Sequence, residues 1–456
     1  MVIEEMRGEL WPLLTKTKRP VRYAGGEWGS FARKDDGANR LVRICLAFPD
    51  VYEVGMSYLG FQILYSLIKT LDYADAERAF CPWLDMETAM REARAPLRSI
   101  ESGRALSDFD AIGFTLQYEL CNTNILTMLD LGGTPLRSAD RSDSDPLVIA
   151  GGPGALAPAA LEIFFDAFCL GDGEVVLPDL LRVIRETRGM DRASRLEAAA
   201  RLPGVYVPGT SALPVRRRIV KKLDEDFIHR TMIVPNGSVI HDRVAVQVFR
   251  GCTRGCRFCQ AGMIDRPVRE RSDESVAGQI ADLLEYTGWE EVGLLSLATC
   301  DWSGLDGLLE MIGPALSAGG IKLSLPSLRM DAFSVELASR LEGMRRGGLT
   351  FAPEAGSERL RSVINKGVSQ EDIESALDAA FRHGWERVKL YFMMGLPTET
   401  ESDLEGIVET AELSLGLARR HKRRGEISVS LAGFVPKAHT PFQWEAQASR
   451  EELRER

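Results

Sequence analysis

Short apolar runs and longer amphipathic stretches take turns along most of the chain. In the first half, RICLAF (43–48), FDAIGFTL (109–116), PLVIAG (146–151) and FDAFCLG (165–171) predict strands, with a weaker one near 76–80. Helical periodicity fills 57–71, 119–131 and 174–188. Strands alternating with helices predict a parallel sheet covered on both faces, here over residues 41–190. Residues 1–40 read as a polar lead-in, with GGEWGSFARKDDGANR supplying turns. Residues 191–243 read as a connector. Its basic run VRRRIVKKL is the kind that usually forms a solvated face.

The alternation restarts at 244. VAVQVFRG, EVGLLSLAT, KLSLPSLR, GLTFAPEA, RVKLYFMMG and EISVSLAGF predict six strands, with helices such as 273–287, 371–383 and 401–419 between them. Six units over 244–445 make a partial (βα) barrel, whose ligand-binding residues belong on the loops after the strands. Residues 446–456 begin a charged helical segment, SREELRER, which suggests a further C-terminal piece.

Composition narrows the class. Of 456 residues, 45% are apolar and 27% charged, and Asp plus Glu exceed Lys plus Arg by 66 to 56. The balance is that of a globular protein and does not favour a whole-protein nucleic-acid field. No apolar run approaches the 18 residues or so that span a bilayer, and the acidic N-terminus lacks a signal pattern, so a cytoplasmic protein without a membrane partner is expected.

Five of the eight cysteines (Cys45, Cys81, Cys121, Cys169, Cys300) are scattered. The other three crowd into Arg250-Gly251-Cys252-Thr253-Arg254-Gly255-Cys256-Arg257-Phe258-Cys259, after the first barrel strand. Three thiolates on one short loop suit an iron–sulfur cluster or zinc. Structural zinc wants a fourth protein ligand, and neither a second C-x2-C pair nor a nearby histidine follows.

C-x3-C-x2-C with an aromatic before its last cysteine, on the first loop of a six-unit barrel, resembles the radical S-adenosylmethionine (SAM) superfamily over roughly residues 244–440. The resemblance implies a 4Fe–4S cluster on Cys252, Cys256 and Cys259. SAM would chelate the fourth iron, one-electron reduction would yield a 5′-deoxyadenosyl radical, and a flavodoxin or ferredoxin would serve as reductant. It places Phe258 near the adenine. Other strand ends offer Asp301 (where the superfamily often has Gly-Gly-Glu), then Ser327 and Arg329, then Glu354 and Ser357, then Pro397. Each has loop packing or capping as its alternative, and Ser357 with Glu358 reads equally as a helix start. Cys300 is a candidate for hydrogen donation or metal binding, with apolar packing as the alternative. Arg266, Arg269 and Arg271 hold an anion or pair with Asp265 and Glu270.

The first unit carries Asp50-Val51-Tyr52-Glu53-Val54-Gly55, then Thr115-Leu116, then Gly151-Gly152-Pro153-Gly154. This resembles the cobalamin-binding flavodoxin-like domain, which reads Asp-x-His-x-x-Gly, Ser-x-Leu and Gly-Gly. Tyr52 stands at the histidine's place, which leaves two readings: cobalamin with its lower face uncoordinated or water-bound, or an empty, purely structural Rossmann-like domain. The domain order resembles cobalamin-domain radical SAM proteins, nearest an uncharacterised bacterial subgroup, through KRPVRYAGGE, RGCTRGCRFCQAG, FAPEAGSERLRSVINKG and FVPKAHTPFQW. Members often occur beside, or fused to, a C-terminal partner domain.

The expected fold is therefore α/β: a flavodoxin-like, cobalamin-binding-type Rossmann domain followed by a (βα)6 radical SAM barrel. The expected reaction is radical functionalisation of an unactivated carbon, most simply methylation, on a substrate the sequence does not reveal. Two alternatives stand beside it. Radical methylthiotransferases carry a second cluster on three N-terminal cysteines, and Cys45, Cys81 and Cys121 lie 36 and 40 residues apart. Against this, Cys45 falls inside an apolar strand and Cys121 in a helix. The other alternative is an iron–sulfur or cobalamin sensor or scaffold without turnover.

Overall fold

The structure is a computed structural model describing residues 10–35, 40–325, 328–333, 335–340 and 348–456. The chain forms two compact units: Met1–Lys221 with Glu225–Asp242, and Lys222–Asp224 with Arg243–Arg456.

The first unit is built on six strands: β1 (Val42–Phe48), β2 (Ala74–Phe80), β3 (Ala111–Thr115), β4 (Leu147–Gly151), β5 (Ala167–Cys169) and β6 (Val205–Tyr206). Their order is β2-β1-β3-β4-β5-β6, parallel except for β6, which runs antiparallel to β5. Strand alternation sorts β1 between two cores. Val42, Ile44, Leu46 and Phe48 pack with Phe61, Tyr65 and Ile68 of the helix Leu59–Thr70 and Leu177–Ile184 of the helix Gly173–Glu186. Cys45 and Ala47 pack with Met86 and Met90 of the helix Leu84–Ala93 and Ile125 and Met128 of Asn122–Leu131. The chain leaves β1 toward β2 on one side and continues to β3 on the other. The strand order thus reverses between β1 and β3, the position at which doubly wound sheets bind ligands.

Three stretches differ from expectation. β2, ADAERAF, is buried along its whole length despite three charges. The helix expected at 119–131 opens as a 3-10 turn, Glu119–Cys121. Most of the expected connector belongs to the first unit: it supplies the helix Arg192–Ala200 and β6.

In the second unit, β7 (Val244–Gln247) is followed by a short antiparallel pair, β8 (Phe249–Arg250) and β9 (Arg269–Glu270). β10 (Glu291–Leu295) lies between β7 and β11 (Lys322–Ser324), all parallel. β12 (Leu349–Glu354), β13 (Arg387–Met394) and β14 (Glu426–Gly433) form a second parallel trio. A parallel bridge between Leu328 and Phe351 joins the segment after β11 to β12, giving six parallel strands in chain order. Helices between them include Asp273–Thr287, Leu305–Ala318, Glu358–Val363, Gln370–Arg382 and Glu401–Arg420. Capping boxes start the last two, Ser369 with Asp372 and Thr400 with Asp403.

Candidate active site

The three-cysteine loop runs from the end of β8 to the helix Gln260–Ile264. Gly251 opens it at φ +89°, where a Cβ would meet the Pro267 carbonyl oxygen at 2.7 Å, so only glycine lets the chain double back here. Four bonds tie the loop to its surroundings. Arg257 N donates to Ile364 O (2.9 Å), Asn365 Nδ2 to Gly255 O (2.9 Å), Phe442 N to Arg257 O (3.2 Å) and Gln260 Nε2 to Ala438 O (3.1 Å). Cys256 is buried and Cys252 and Cys259 half-buried, and all three are free thiols.

Cys259 Sγ accepts from Gly262 N at 3.3 Å as the cap of the following helix. Burial pushes its thiol up; the Gly262 bond and Lys366 oppose that, while Cys256 and Cys252 add to it. Cys259 is thus close enough to the other two thiols to feel their charge. Among the described residues no three Cys, His, Asp or Glu side chains are already drawn together around a metal position. Three free thiols within eight residues of a backbone-anchored loop still suit a cluster that brings its own iron and sulfide.

The strand ends around this loop are joined by charge. Arg254, between the first two cysteines, forks onto Asp301 and reaches Asp331 at 3.0 Å. Asp331 also accepts from Arg329 Nε (2.9 Å), and Arg329 donates to Lys366 O (2.7 Å). Lys366 Nζ pairs with Glu354 at 3.2 Å, and Glu354 holds a left-handed φ of +71°. Asp301, Arg329 and Glu354 thus meet in one network through Arg254, Asp331 and Lys366, three residues that the sequence reading passed over. Position was the available signal for Arg254, which lies inside the cysteine motif.

Phe258 packs against the apolar group Ala355, Leu360, Ile364, Leu396, Phe434 and Phe442. Pro397 is half-buried in the turn after β13, closed by Glu399 N to Leu396 O. Ser357 caps the helix Glu358–Val363 through Leu360 N (3.1 Å) and donates to Asp403, the capping alternative that its sequence context offered. Ser327 lies outside the described residues. Cys300 sits in the turn Thr299–Asp301, its thiol pushed up to about 12 by burial, so it is a neutral thiol near pH 7. Arg269 donates to the Pro267 carbonyl (3.2 Å), and Arg271 to the Leu223 carbonyl (2.6 Å) with Asp224 3.6 Å away.

At the C-terminal edge of the first sheet, Asp50 accepts from the Tyr118 phenol and from Val51 N (2.7 Å), with Cys121 Sγ at 3.8 Å. Tyr52 does not present itself as a ligand. Its ring packs against Phe80 at 5.2 Å and its hydroxyl donates to Glu27 at 3.1 Å. Burial, then Glu27, push that hydroxyl up. Gly55 also serves packing, since a Cβ there would meet the Phe80 ring at 2.4 Å.

Thr115 and Gly151 are register partners on β3 and β4, and a Cβ on Gly151 would enter open space. Gly152 turns at φ +89°, its Cβ position 2.9 Å from Leu116 O and 3.1 Å from Gln117 Nε2. That Gln117 nitrogen is buried with no hydrogen-bond partner. An unpaired buried donor is costly unless something meets it. Gln117, also passed over in the sequence, therefore joins the open edge as a feature that fits a polar ligand.

Cys81 and Cys121 follow β2 and β3, and Cys81 N donates to Asp50 O at 3.0 Å. Cys45 lies three residues, about 10 Å of strand, before the end of β1 and faces the core.

Comparison with known proteins agrees with this architecture. Residues 60–208 match the family "Radical SAM proteins, N-terminal", and residues 246–411 match the "Radical SAM superfamily". An uncharacterized protein of Methanocaldococcus jannaschii is 27% identical over 408 residues, 89% of this chain and 80% of that protein. The ribosomal protein uS12 methylthiotransferase RimO of Thermotoga maritima is 24% identical over 176 residues, 37% of this chain and 40% of its own length.

Among solved structures, the radical SAM methyltransferase TsrM from Kitasatospora setae, with cobalamin and a 4Fe–4S cluster bound, aligns with a TM-score of 0.59 at 16% identity, covering 88% of this chain and 77% of that one. The cobalamin-dependent radical SAM enzyme OxsB aligns at 0.57 and 15%, covering 89% and 60%. The chain is a radical SAM enzyme, with a 4Fe–4S cluster and SAM as its cofactors. The reading as a sensor or scaffold without turnover falls with that assignment. No helix among the described residues is long and apolar enough to cross a membrane.

Proposed function

We propose that the chain is a cobalamin-dependent radical SAM transferase that functionalises an unactivated carbon, most simply by methylation. The observation that carries the reading is the backbone-anchored loop of Cys252, Cys256 and Cys259 after the first of six parallel strands. When bound, the cluster and SAM supply a 5′-deoxyadenosyl radical, and cobalamin supplies a methyl carrier.

The chain's own residues bind and orient. The three thiols hold the cluster. The network of Arg254, Asp301, Asp331, Arg329, Lys366 and Glu354 offers both signs of charge to the ammonium and carboxylate of SAM. Phe258 and its apolar neighbours keep water from one side of the loop.

On the first unit, the strand order 2-1-3-4-5 supports a flavodoxin-like reading, in which a ligand would bind between the ends of β1 and β3. The open side of Gly151 and the unpaired Gln117 amide support cobalamin there. None of the chain's five histidines falls between residues 41 and 190, and Tyr52 is spent on Glu27, so this stretch gives cobalt no imidazole.

Methylthio transfer is the second reading, favoured by the likeness to RimO and by Cys81 and Cys121, which follow the two strands that flank β1. Anaerobic reconstitution with iron, sulfide and hydroxocobalamin separates the two. About four irons and one cobalt per chain is the expected result; about eight irons without cobalt would favour methylthio transfer. Cys45→Ala is expected to leave the iron content unchanged.

A further inference from the structure

The barrel interior takes the substrate in the reading above, and its β12–β14 side has an uneven chemistry. On β12 and β13, Leu349, Phe351, Val388, Leu390 and Phe392 are buried, and Phe351 packs on Phe333 at 5.3 Å. Thr350, Lys389 and Tyr391 alternate with them and so face the other way, into the barrel. Register extends the row to β14: Thr350 lies opposite Lys389, Lys389 opposite Ser428, and Tyr391 opposite Ser430. Two hydroxyls thus flank one ammonium, with a phenol and a third hydroxyl one pleat nearer the C-terminal strand ends. Among the described residues none of these five side chains makes a hydrogen bond or an ion pair. The Lys389 ammonium lies over the Tyr391 ring, 4.6 Å from its centroid, and so leans toward the end of the barrel that holds the cysteine loop. The acids of the barrel strands have cations of their own. Glu291 is shared by Arg243 (3.1 Å) and Lys322 (2.7 Å), Glu354 is held by Lys366, and Glu426 stands opposite Arg387.

We infer that the substrate carries an anionic oxygen group, a phosphate or a carboxylate, which Lys389 anchors inside the barrel while Thr350, Tyr391, Ser428 and Ser430 donate hydrogen bonds to it. The inference rests on the proposed function and adds the chemical class of its substrate. An apolar substrate covering this row would strand an ammonium and four hydroxyls without water, which is costly. A cationic one would meet Lys389 as a like charge. An anion satisfies all five groups, and charge-assisted hydrogen bonds are the strong ones. Held by its anionic end at mid-strand, the substrate keeps its other end toward the C-terminal strand ends, beside the cysteine loop.

The test titrates the anaerobically reconstituted full chain, saturated with SAM so that its own carboxylate site is filled, with inorganic phosphate and separately with acetate. Calorimetry at constant ionic strength gives the two dissociation constants, and the tighter anion names the group. Wild type is compared with Lys389→Met, Lys389→Arg and Tyr391→Phe. Lys389→Met is expected to weaken the tighter anion by at least about tenfold, Lys389→Arg to hold it within about threefold, and Tyr391→Phe to fall between. Iron content and SAM affinity, measured on the same samples, should not move, which separates an anchor from a residue that merely holds the barrel together. Saturable binding of neither anion, or binding that Lys389→Met leaves unchanged, overturns the anchor while leaving the cluster site standing. A wild type that takes up no iron overturns the proposed function instead, and the same titration of the iron-free chain then decides the anchor by itself.

Discussion

Arg78 shows how a single side chain settles a fold question. It is fully buried on β2, with Nε on Glu101 at 2.6 Å and an Nη on Glu27 at 3.0 Å. Taking one partner from a buried ionic group leaves charge stranded without water. Arg78→Met is therefore expected to destabilise the first unit by about 3–5 kcal/mol, read from denaturant midpoints. Replacing Arg78, Glu27 and Glu101 together with apolar residues should cost much less. Cys300 makes a second residue-level prediction. With its thiol near 12, alkylation by iodoacetamide should be slow at neutral pH and still be rising at pH 10, followed by mass spectrometry of that peptide. An ordinary thiol, near 8.5, would already have levelled off. Neither property was legible in the sequence, because both depend on who the neighbours are. ADAERAF reads as a poor strand until Glu27 and Glu101, far away in sequence, arrive beside it.

Between elements, Asp403 does the joining. It completes the capping box of Glu401–Arg420 and accepts from Ser357, the cap of Glu358–Val363, and from Arg359. Burial alone would raise its pKa, but Arg359, Ser357 and Thr400 hold it well below the usual carboxylate range. A depressed carboxylate contributes stability above its unfolded value, near 3.9, and loses it as pH falls toward the folded value. Wild type should thus exceed Asp403→Asn in thermal midpoint at neutral pH, with the gap shrinking progressively below about pH 4. Close by, a Cβ on Gly356 would meet Asp403 O at 2.2 Å and Ile407 N at 2.5 Å. Gly356→Ala should push the helix off its loop and lower stability by about 1–3 kcal/mol in the same melts. Ser357 was legible as a helix start, but the close approach at Gly356 beside it was not. What approaches is a helix, and no spacing rule says which.

For the whole molecule, what could be read was set by locality. The C-x3-C-x2-C loop is contained in eight residues, and the barrel strands are apolar runs that declare themselves, so both were legible. Tyr52 could be placed in a motif but not in space, because its partner Glu27 comes from the lead-in. Cys256→Ala should abolish iron uptake and reductive cleavage of SAM while leaving the far-ultraviolet spectrum and the first unit's unfolding midpoint in place. Loss of both would mean that the loop is needed to fold the protein rather than to arm it. The lead-in has its own consequence. Glu27 neutralises Arg78, Arg33 N bonds to buried Asp75 at 2.9 Å, and Arg19 and Arg22 hold Glu53 at 2.8 and 2.9 Å. A fragment trimmed to begin at the first strand would keep every strand of the sheet yet uncork its charged edge. The shortest version that can be expressed and dissected alone must start upstream of Arg19, in a stretch that looks dispensable.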